Sequence, residues 1–321
     1  MKEPCSTHVL QTQTTAVNPC AVDVCGDLAL VATYELNEAT KVREGGLVLY
    51  ALRGAPEVAL ERTAALDVGG VLECAWTGDR RALAATADGR VVCVECDGDA
   101  LAQVGASDAA GHLYMSIEWD PQSRTAAVAE ANGRVSVWNE ELAVVHSWDE
   151  AHTYEDGSAA EVWCAARRGD VVLSGADDAK LKWWDVRMEG STRTLRSHGA
   201  GVTAVAWSPH AEHEFMTGSY DESVRVWDAR APRAPTSELD LGGGVWTLKY
   251  HAAREGLVVA SCMRAGVCVL QAAEGGVSVV ARYTGHEAEK IAYGADFHGE
   301  TVASCSFYDR NVHLWRLGAA A

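Results

Sequence analysis

The sequence has few basic residues, and they do not cluster into a run. The chain of 321 residues contains 27 Lys and Arg against 45 Asp and Glu, which gives a formal net charge of −18. Binding to a nucleic-acid backbone depends on clustered positive charge, so a nucleic acid is not expected as a partner. A basic protein or a cationic ligand suits this charge better.

Long apolar segments are also absent. No run approaches the ~18 apolar residues that a membrane helix requires. The N-terminal residues Met1 to Thr7 lack the apolar core of a secretory signal. We therefore expect a soluble, cytoplasmic protein that does not bind a membrane.

The ten cysteines show no spacing that would indicate a disulfide framework. In a chain long enough to build its own core, they are expected to be reduced thiols that act as small apolar side chains. Cys93 and Cys96 have the CxxC spacing of a metal or redox pair. They fall in a predicted strand, where positions i and i+3 point to opposite faces, so no metal site is predicted there.

Familiar catalytic motifs are missing as well. The sequence contains no G-x-S-x-G elbow, no H-E-x-x-H, no phosphate-binding glycine loop and no paired Cys/His cluster. No cofactor is predicted, and any chemistry must come from residues outside these motifs.

What the sequence does contain is one pattern that returns seven times. Its clearest copies are residues 177–185 and 219–228, and both end in Trp-Asp. The equivalent positions lie 43 to 46 residues apart, at Tyr50, Val94, Trp138, Trp184, Trp227, Leu270 and Trp315. A period near 44 with Trp-Asp endings is typical of propeller blades of four strands each. The sequence therefore predicts an all-β, seven-bladed β-propeller of WD-repeat type, which uses residues 1–321 as one domain.

Residues 1–18 precede the first repeat and contain a Thr-rich strand pattern from His8 to Thr14. A propeller has to close its ring in order to hide its edge strands. This segment is predicted to pair with the last blade as its outer strand, and its deletion is expected to open the ring.

Two blades carry a His, a hydroxyl, an Asp and a Trp at matching spacing. The two sets are His152, Ser174, Asp178 and Trp184, and His198, Thr217, Asp221 and Trp227. A nucleophile has to be exposed to substrate, whereas here each group is expected to hydrogen-bond the next inside a blade. These residues are interpreted as structural rather than as a hydrolase triad. His286, Asp309 and Trp315 are predicted to form a third set, with Cys305 in place of the hydroxyl.

Aligning the repeats predicts which side chains surround one end of the central channel. The first mouth ring comes from the innermost strands: Leu72, Met115, Trp163, Thr203, Trp246 and Tyr293. The second mouth ring comes from the residue before the turn Asp or its equivalent: Ala87, Ala131, Asp177, Tyr220, Met263 and Tyr308. Five of these twelve residues are Trp or Tyr in a chain that is 7% aromatic, so aromatic side chains concentrate at this opening, on blades four to seven.

Carboxylates are predicted beside these rings, because Glu161 falls on the same rim as Asp177. Aromatic faces combined with carboxylates bind quaternary ammonium groups, at roughly 0.5 to 2 kcal/mol for each contact. The alternative is that the aromatic side chains form an ordinary protein-binding surface. The residue types alone leave both interpretations open.

Several stretches go beyond a general WD-repeat signal. They are residues 208–213 (SPHAEH), 217–222 (TGSYDE), 243–246 (GGVW), 262–263 (CM), 293–296 (YGAD) and 305–309 (CSFYD). Together they resemble the WD-repeat family of the diphthamide pathway, the diphthine methyl ester hydrolases, also named diphthine methyltransferases. The likeness is strongest between His152 and Trp315. It implies an esterase that acts on a modified histidine of elongation factor 2 before the final amidation, with other pathway enzymes as further candidate partners.

The implied substrate carries a methyl ester and a trimethylammonium group on one side chain. The residues predicted to surround that cation are Trp163, Tyr220, Trp246, Tyr293 and Tyr308. Ester hydrolysis needs a base and donors for the oxyanion. Asp177 and Glu161 are candidate bases, since a carboxylate half buried among aromatic rings holds a proton more tightly. Tyr220 and Tyr308 are candidate oxyanion donors. The candidate nucleophiles are Ser219, Cys262 and Ser306.

A non-enzymatic WD-repeat adaptor that grips a peptide at the same mouth is the competing hypothesis. Propellers serve widely as interaction platforms, so the fold alone does not decide between the two. An adaptor does not require acidic residues beside an aromatic cage, whereas a trimethylammonium site does.

Overall fold

The computed structural model describes residues 5–54, 58–78 and 80–318. These residues form 28 β-strands and one 3-10 helix, Ala288–Lys290. The strands are arranged as seven antiparallel sheets of four strands each, which confirms the predicted seven-bladed all-β propeller. Among the described residues, no helix is long and apolar enough to cross a membrane.

The first three blades are built from strands that follow one another in the chain. Blade one contains β2 (Pro19–Cys25), β3 (Leu28–Leu36), β4 (Arg43–Arg53) and β5 (Ala59–Asp67). Blade two contains β6 (Val71–Gly78), β7 (Arg81–Thr86), β8 (Val91–Asp97) and β9 (Ala100–Ala106). Blade three contains β10 (Tyr114–Asp120), β11 (Thr125–Glu130), β12 (Val135–Asn139) and β13 (Val144–Trp148).

The next three blades repeat this order. Blade four contains β14 (Val162–Arg168), β15 (Val171–Ala176), β16 (Leu181–Asp185) and β17 (Arg193–Leu195). Blade five contains β18 (Val202–Trp207), β19 (Glu214–Ser219), β20 (Ser223–Asp228) and β21 (Ser237–Asp240). Blade six contains β22 (Thr247–Tyr250), β23 (Leu257–Ser261), β24 (Val267–Ala273) and β25 (Gly276–Tyr283).

Blade seven closes the ring with strands from both ends of the chain. It contains β26 (Ala292–His298), β27 (Thr301–Ser306), β28 (Asn311–Leu317) and, as its outer strand, β1 (Thr7–Thr14). β1 pairs with β28 from Thr7 opposite Leu317 to Thr14 opposite Asn311. The Gln11 amide also donates a hydrogen bond of 2.9 Å to the Leu60 carbonyl in blade one. The predicted closure by an N-terminal strand is therefore confirmed, although Met1 to Pro4 lie outside the described residues.

The apolar residues pack between blades rather than into one central core. Seven clusters of buried side chains are formed by the described residues, one at each boundary between neighbouring blades. The second strand of a blade is covered on both faces, and every residue of β11 and of β27 is buried. Strands covered on both faces lose the alternation of polar and apolar residues, which explains the continuous apolar runs in the sequence.

The polar set of blade four forms the complete network that its spacing predicts. His152 bonds the Asp178 carboxylate through Nδ1 at 3.0 Å and the Ser174 hydroxyl through Nε2 at 2.7 Å. The Trp184 indole donates to the same hydroxyl at 2.7 Å. Burial lowers the pKa of His152, so the imidazole stays neutral inside the blade.

Blade five keeps only part of this network. His198 Nε2 lies 2.9 Å from the Thr217 hydroxyl, to which the Trp227 indole donates at 2.9 Å. The expected bond between His198 and Asp221 is absent. The Asp221 carboxylate instead accepts from the Gly199 amide at 2.7 Å and from the Ser223 amide and the Arg225 guanidinium at 3.1 Å each. His198 Nδ1 has no partner among the described residues.

The prediction for blade seven was wrong by one residue. The sequence predicts Cys305 at the hydroxyl position of this network. In the structure Ser304 occupies that position and supplies the hydroxyl. Ser304 Oγ lies 2.8 Å from His286 Nε2 and accepts from the Trp315 indole at 3.0 Å. Asp309 does not join this network and instead accepts from the Ser306 hydroxyl. The turn between β27 and β28 is one residue longer than the turn between β19 and β20, which shifts the alignment at this point.

Candidate functional site

Six of the seven first strands carry a β-bulge at the same position. In β14 the register shifts between Val162 and Cys164 and leaves Trp163 without an opposite residue. The same shift occurs at Cys20, Leu72, Met115, Thr203 and Tyr293. A bulge re-aims its extra side chain, so one residue of each blade turns toward the channel. Trp246, just before β22, completes this ring in blade six.

The redirected side chains enclose a cavity of about 190 Å³ at the channel mouth. Its lining includes all six residues predicted for the first mouth ring, and Tyr220 from the second. The complete lining is Cys20, Ala21, Tyr34, Leu72, Glu73, Met115, Trp163, Thr203, Tyr220, Trp246, Thr247 and Tyr293. Residues of all seven blades therefore surround one space, which we call the mouth cavity.

The aromatic side chains of the mouth cavity contact one another edge to face. The Trp246 ring lies 5.3 Å from Trp163, 5.8 Å from Tyr220 and 5.0 Å from Tyr293, measured between centroids. Trp163 and Tyr220 also contact each other at 6.0 Å. Perpendicular packing holds each ring by its neighbour's edge and leaves ring faces available to a ligand. Trp246 is the central member of this group.

Blade one contributes three lining residues that the predicted mouth rings do not include, Cys20, Ala21 and Tyr34. Tyr34 lies in β3 at the position equivalent to Tyr220 in blade five, and the two backbone amides make matching hydrogen bonds. Tyr34 N donates to the Asn18 carbonyl at 3.0 Å, and Tyr220 N donates to the Gly201 carbonyl at 2.9 Å. The long hairpin between β3 and β4 replaces the short polar turn that marks this position in other blades. Cys20 occupies the bulge position of β2, in the one blade that the predicted mouth rings do not include.

Phe307 occupies the second-ring position that the alignment assigned to Tyr308. The Phe307 amide donates to the Ile291 carbonyl at 3.1 Å, in the way that Tyr220 bonds the equivalent carbonyl in blade five. Tyr308 is displaced outward by the longer turn, is 58% exposed and does not line the mouth cavity. Phe307 packs 5.3 Å from Tyr293 and 5.0 Å from Tyr34, so it supports the cavity wall from behind.

The two candidate bases lie on the rim, above the mouth cavity. Asp177 and Glu161 are adjacent, since the Asp177 amide donates to the Glu161 carbonyl at 3.0 Å. Both side chains are exposed and neither lines the cavity, so they lack the half-buried environment on which their prediction depended. Burial, together with these two negative charges, raises the pKa of Tyr220 to about 12, so this phenol stays protonated. The Tyr154 hydroxyl donates to the Asp177 carboxylate.

The three candidate nucleophiles are fully buried inside blades. Ser219, Cys262 and Ser306 each have an exposed fraction of 0%. The Ser219 hydroxyl donates to the Ala200 carbonyl at 3.1 Å, and the Cys262 thiol is directed at the Ala260 carbonyl. None of the three lines the mouth cavity, so a substrate held there would not reach them.

A second cavity of about 250 Å³ continues the channel below the mouth, and we call it the lower cavity. Glu73, Thr203, Trp246 and Thr247 line both spaces, so the two meet at their level. Glu118 and Lys249 line only the lower cavity. The Lys249 ammonium lies 2.7 Å from the Asp23 carboxylate, which also accepts from the Trp76 amide at 2.8 Å.

Three carboxyl groups around Lys249 hold protons more tightly than usual. Burial raises the pKa of Glu73 to about 7, against the opposing effect of the Lys249 charge. Burial likewise raises the pKa of Glu118 to about 8 and that of Asp296 to about 7. These groups therefore change charge near neutral pH. The sequence signal that could have found them is an acidic residue inside an otherwise apolar first strand.

No group of His, Cys, Asp or Glu side chains in the described part of the chain is arranged to hold a metal ion. Cys93 and Cys96 lie in β8 and are both buried. The chemistry available at the mouth is thus that of aromatic faces, phenols and one carboxyl group, Glu73.

Comparisons with known proteins agree with this architecture. Residues 190–228 match the family model described as WD domain, G-beta repeat. The fold is similar to a chain in a crystal structure of the mitotic checkpoint complex, with a TM-score of 0.77, 17% sequence identity and coverage of 99% of this chain and 95% of that one. At this identity the likeness supports the propeller fold alone.

Closer sequence matches carry a more specific name. A mouse protein named diphthine methyltransferase is 39% identical over 180 residues, which cover 53% of this chain and 37% of the mouse protein's own length. A protein of the same name from Schizosaccharomyces pombe is 29% identical over 305 residues, which cover 90% of each chain. A ribosome biogenesis protein WDR12 homolog from Ixodes scapularis is 29% identical over 149 residues, 44% of this chain and 33% of that protein. Taken with the propeller fold, these matches show that the chain is similar to WD-repeat proteins named diphthine methyltransferase.

Proposed function

We propose that this chain acts in diphthamide biosynthesis, where it hydrolyses the methyl ester of methylated diphthine on elongation factor 2. The names of its relatives support the pathway. The observation that supports the substrate is the mouth cavity of about 190 Å³, which contains the aromatic side chains of Trp163, Tyr220, Trp246 and Tyr293. This is the environment in which a trimethylammonium group is bound.

Recognition of the cation is assigned to the aromatic wall. The methyl groups of a trimethylammonium carry its positive charge, and a ring face carries the negative end of the ring quadrupole. Each ring face contributes roughly 0.5 to 2 kcal/mol when water is excluded. Asp177 and Glu161 on the rim add negative charge at the entrance, and they assist entry rather than chemistry in this proposal. The net charge of −18 favours encounter with a basic surface of the partner protein.

Phenol groups are the proposed donors to the ester oxygen. The lining contains the hydroxyl-bearing rings of Tyr34, Tyr220 and Tyr293. Burial raises the pKa of Tyr34 and of Tyr293, so both remain protonated and able to donate at neutral pH. Donors placed in advance around the developing oxyanion lower the barrier to attack on the ester carbon. The phenols and the cation site lie in the same small cavity, as a substrate with both groups on one side chain requires.

Methanol release tests this proposal. Purified protein is mixed with elongation factor 2 that carries the methyl-esterified intermediate, and methanol and the mass of the modified histidine are followed over time. We expect methanol to appear together with the mass loss of one methyl exchanged for hydrogen, and no reaction from the same factor without the ester. Tight binding without methanol would contradict the esterase and would favour the WD-repeat adaptor.

A further inference from the structure

Glu73 is an acidic residue in β6, the first strand of blade two. It directly follows the bulge residue Leu72 in β6. The residues that directly follow the bulge position in the other six blades are short: Ala21, Ser116, Cys164, Ala204, Thr247 and Gly294. Glu73 is thus the one acidic residue at this position, it lines the mouth cavity and the lower cavity alike, and its carboxylate accepts a hydrogen bond from the Ile117 backbone amide.

Glu73 is also the one carboxyl group among the residues that line the mouth cavity. The other acidic residues near the channel do not line this cavity. Asp177 and Glu161 are on the rim above, and Glu118 lines only the lower cavity. A substrate held against Trp246 and Tyr293 would thus meet a single carboxyl group, on the floor of its site.

We infer that Glu73 is the general base of the ester hydrolysis proposed above, on which this inference rests, and that it activates a water molecule on the floor of the mouth cavity. The Glu73 carboxylate removes a proton from water, and the water oxygen forms a bond to the ester carbon while the carbonyl electron pair moves onto the oxygen. The tetrahedral intermediate then collapses, the bond to the methoxy oxygen breaks, and protonated Glu73 returns its proton to the leaving methoxide. The products are methanol and the free acid of the side chain, which ionises and releases one proton.

The electrostatic surroundings of Glu73 suit this role. A base that takes up a proton and returns it works best when its pKa is close to the working pH. The raised pKa of about 7 meets this condition. The titratable groups that face Glu73 from the packed strands are Asp23, Cys20, Cys74, Glu118, Cys164 and Lys249. Burial raises the pKa of the three thiols, so they do not titrate in the neutral range.

The test compares Glu73→Gln with the wild-type protein. Glutamine has nearly the same shape and cannot accept the proton, so kcat is expected to fall about 100-fold or more, the usual contribution of a general base. Binding of a stable trimethylammonium ligand, betaine amide, should change less than threefold. In the wild type, kcat should rise with pH through about 7 and then level off, because the ionised carboxylate is the active form. The rise of kcat with pH should be absent from the residual activity of Glu73→Gln.

The matched control is Glu118→Gln, which removes a carboxyl group from the lower cavity and leaves the mouth cavity intact. It should keep kcat within about threefold of wild type. If wild type releases methanol and Glu73→Gln is as active while it binds betaine amide normally, Glu73 is not the base, and the proposed function stands. If Glu118→Gln abolishes the rise of kcat with pH and Glu73→Gln does not, the base lies in the lower cavity and the inference about Glu73 is wrong. If folded wild type releases no methanol, the proposed function fails and this inference fails with it.

Discussion

The two halves of the ring differ in what they bring to the channel. Blades four to seven supply the rings of Trp163, Tyr220, Trp246 and Tyr293. Blades one to three present Cys20, Leu72 and Met115 at the same level and add the acidic groups Asp23, Glu73 and Glu118. We propose that the aromatic half recognises a cation. Burial raises the pKa of two carboxyl groups in the other half, Glu73 to about 7 and Glu118 to about 8, and that of Asp296 in blade seven to about 7.

Blades one to three, in which the repeat signal of the sequence is weakest, supply the acidic residues of the channel. Their Trp-Asp signal is poor, and Val94 in blade two replaces the repeat tryptophan. The acidic residues of blades one to three nevertheless reach Lys249 in blade six, since the Lys249 ammonium lies 2.7 Å from Asp23. The chemistry that we propose therefore draws on residues of both halves.

The largest expected effect comes from removing the central ring of the recognition half. Trp246→Ala deletes a ring that contacts three aromatic neighbours, and affinity for betaine amide should fall about 30-fold, or ~2 kcal/mol. Calorimetric titration measures this loss, with thermal unfolding as a check on the fold. Leu72→Ala, on the opposite half at the same level, is the matched control and should weaken binding less than threefold. Equal losses in both variants would remove the distinction between the halves.

An intermediate effect is expected on the stability of the charged half. The pKa of Glu118 is raised to about 8 in the folded chain, above its ordinary value in the unfolded chain. The stability that this group contributes is present at pH values below its unfolded pKa and is lost as pH rises through about 8. Glu118→Gln should therefore match wild type near pH 4 and exceed it near pH 9 in the free energy of unfolding, by at least about 1 kcal/mol, since each pKa unit of such a shift corresponds to about 1.4 kcal/mol. Urea denaturation at the two pH values measures this, and a difference independent of pH would contradict it.

The smallest effect is expected on the rim. Asp177→Asn removes one exposed charge near the entrance, so affinity for betaine amide should fall about threefold and the loss should shrink at high salt. The turnover number kcat should not change. Glu161→Gln is the companion variant and should behave alike. A large drop in kcat at constant affinity would return Asp177 to the role of base that the sequence first indicated.

Much of the ring geometry could be predicted from the sequence because the repeat period fixes it. The spacing alone predicts that Trp163, Trp246 and Tyr293 lie at one level. β-Bulges at Trp163 and Tyr293 then direct these two side chains into the cavity that Trp246 also lines. The spacing failed where a turn changed length. The extra residue between β27 and β28 put Phe307 where Tyr308 was expected and Ser304 where Cys305 was expected.

The charged floor of the site could not be predicted, for a physical reason. Glu73 has no motif around it, and its environment is set by Asp23, Ile117 and Lys249, which lie in three other blades. Whether an acidic residue in an apolar strand faces a cavity, an ion pair or solvent is decided by residues far apart in the sequence. The rim carboxylates Asp177 and Glu161, which did follow from repeat spacing, proved to be exposed.

The most direct test of the central claim is to compare two ligands of equal shape at the mouth cavity. Betaine amide carries a trimethylammonium group, and 3,3-dimethylbutanamide carries a neutral tert-butyl group in its place. NMR titration of the indole signals of Trp163 and Trp246 reports binding of each. We predict that the cation shifts both signals and binds at least tenfold more tightly than its neutral counterpart, as cation–π contacts require. Equal affinity of the two ligands, or shifts confined to tryptophans outside the mouth, would contradict the account.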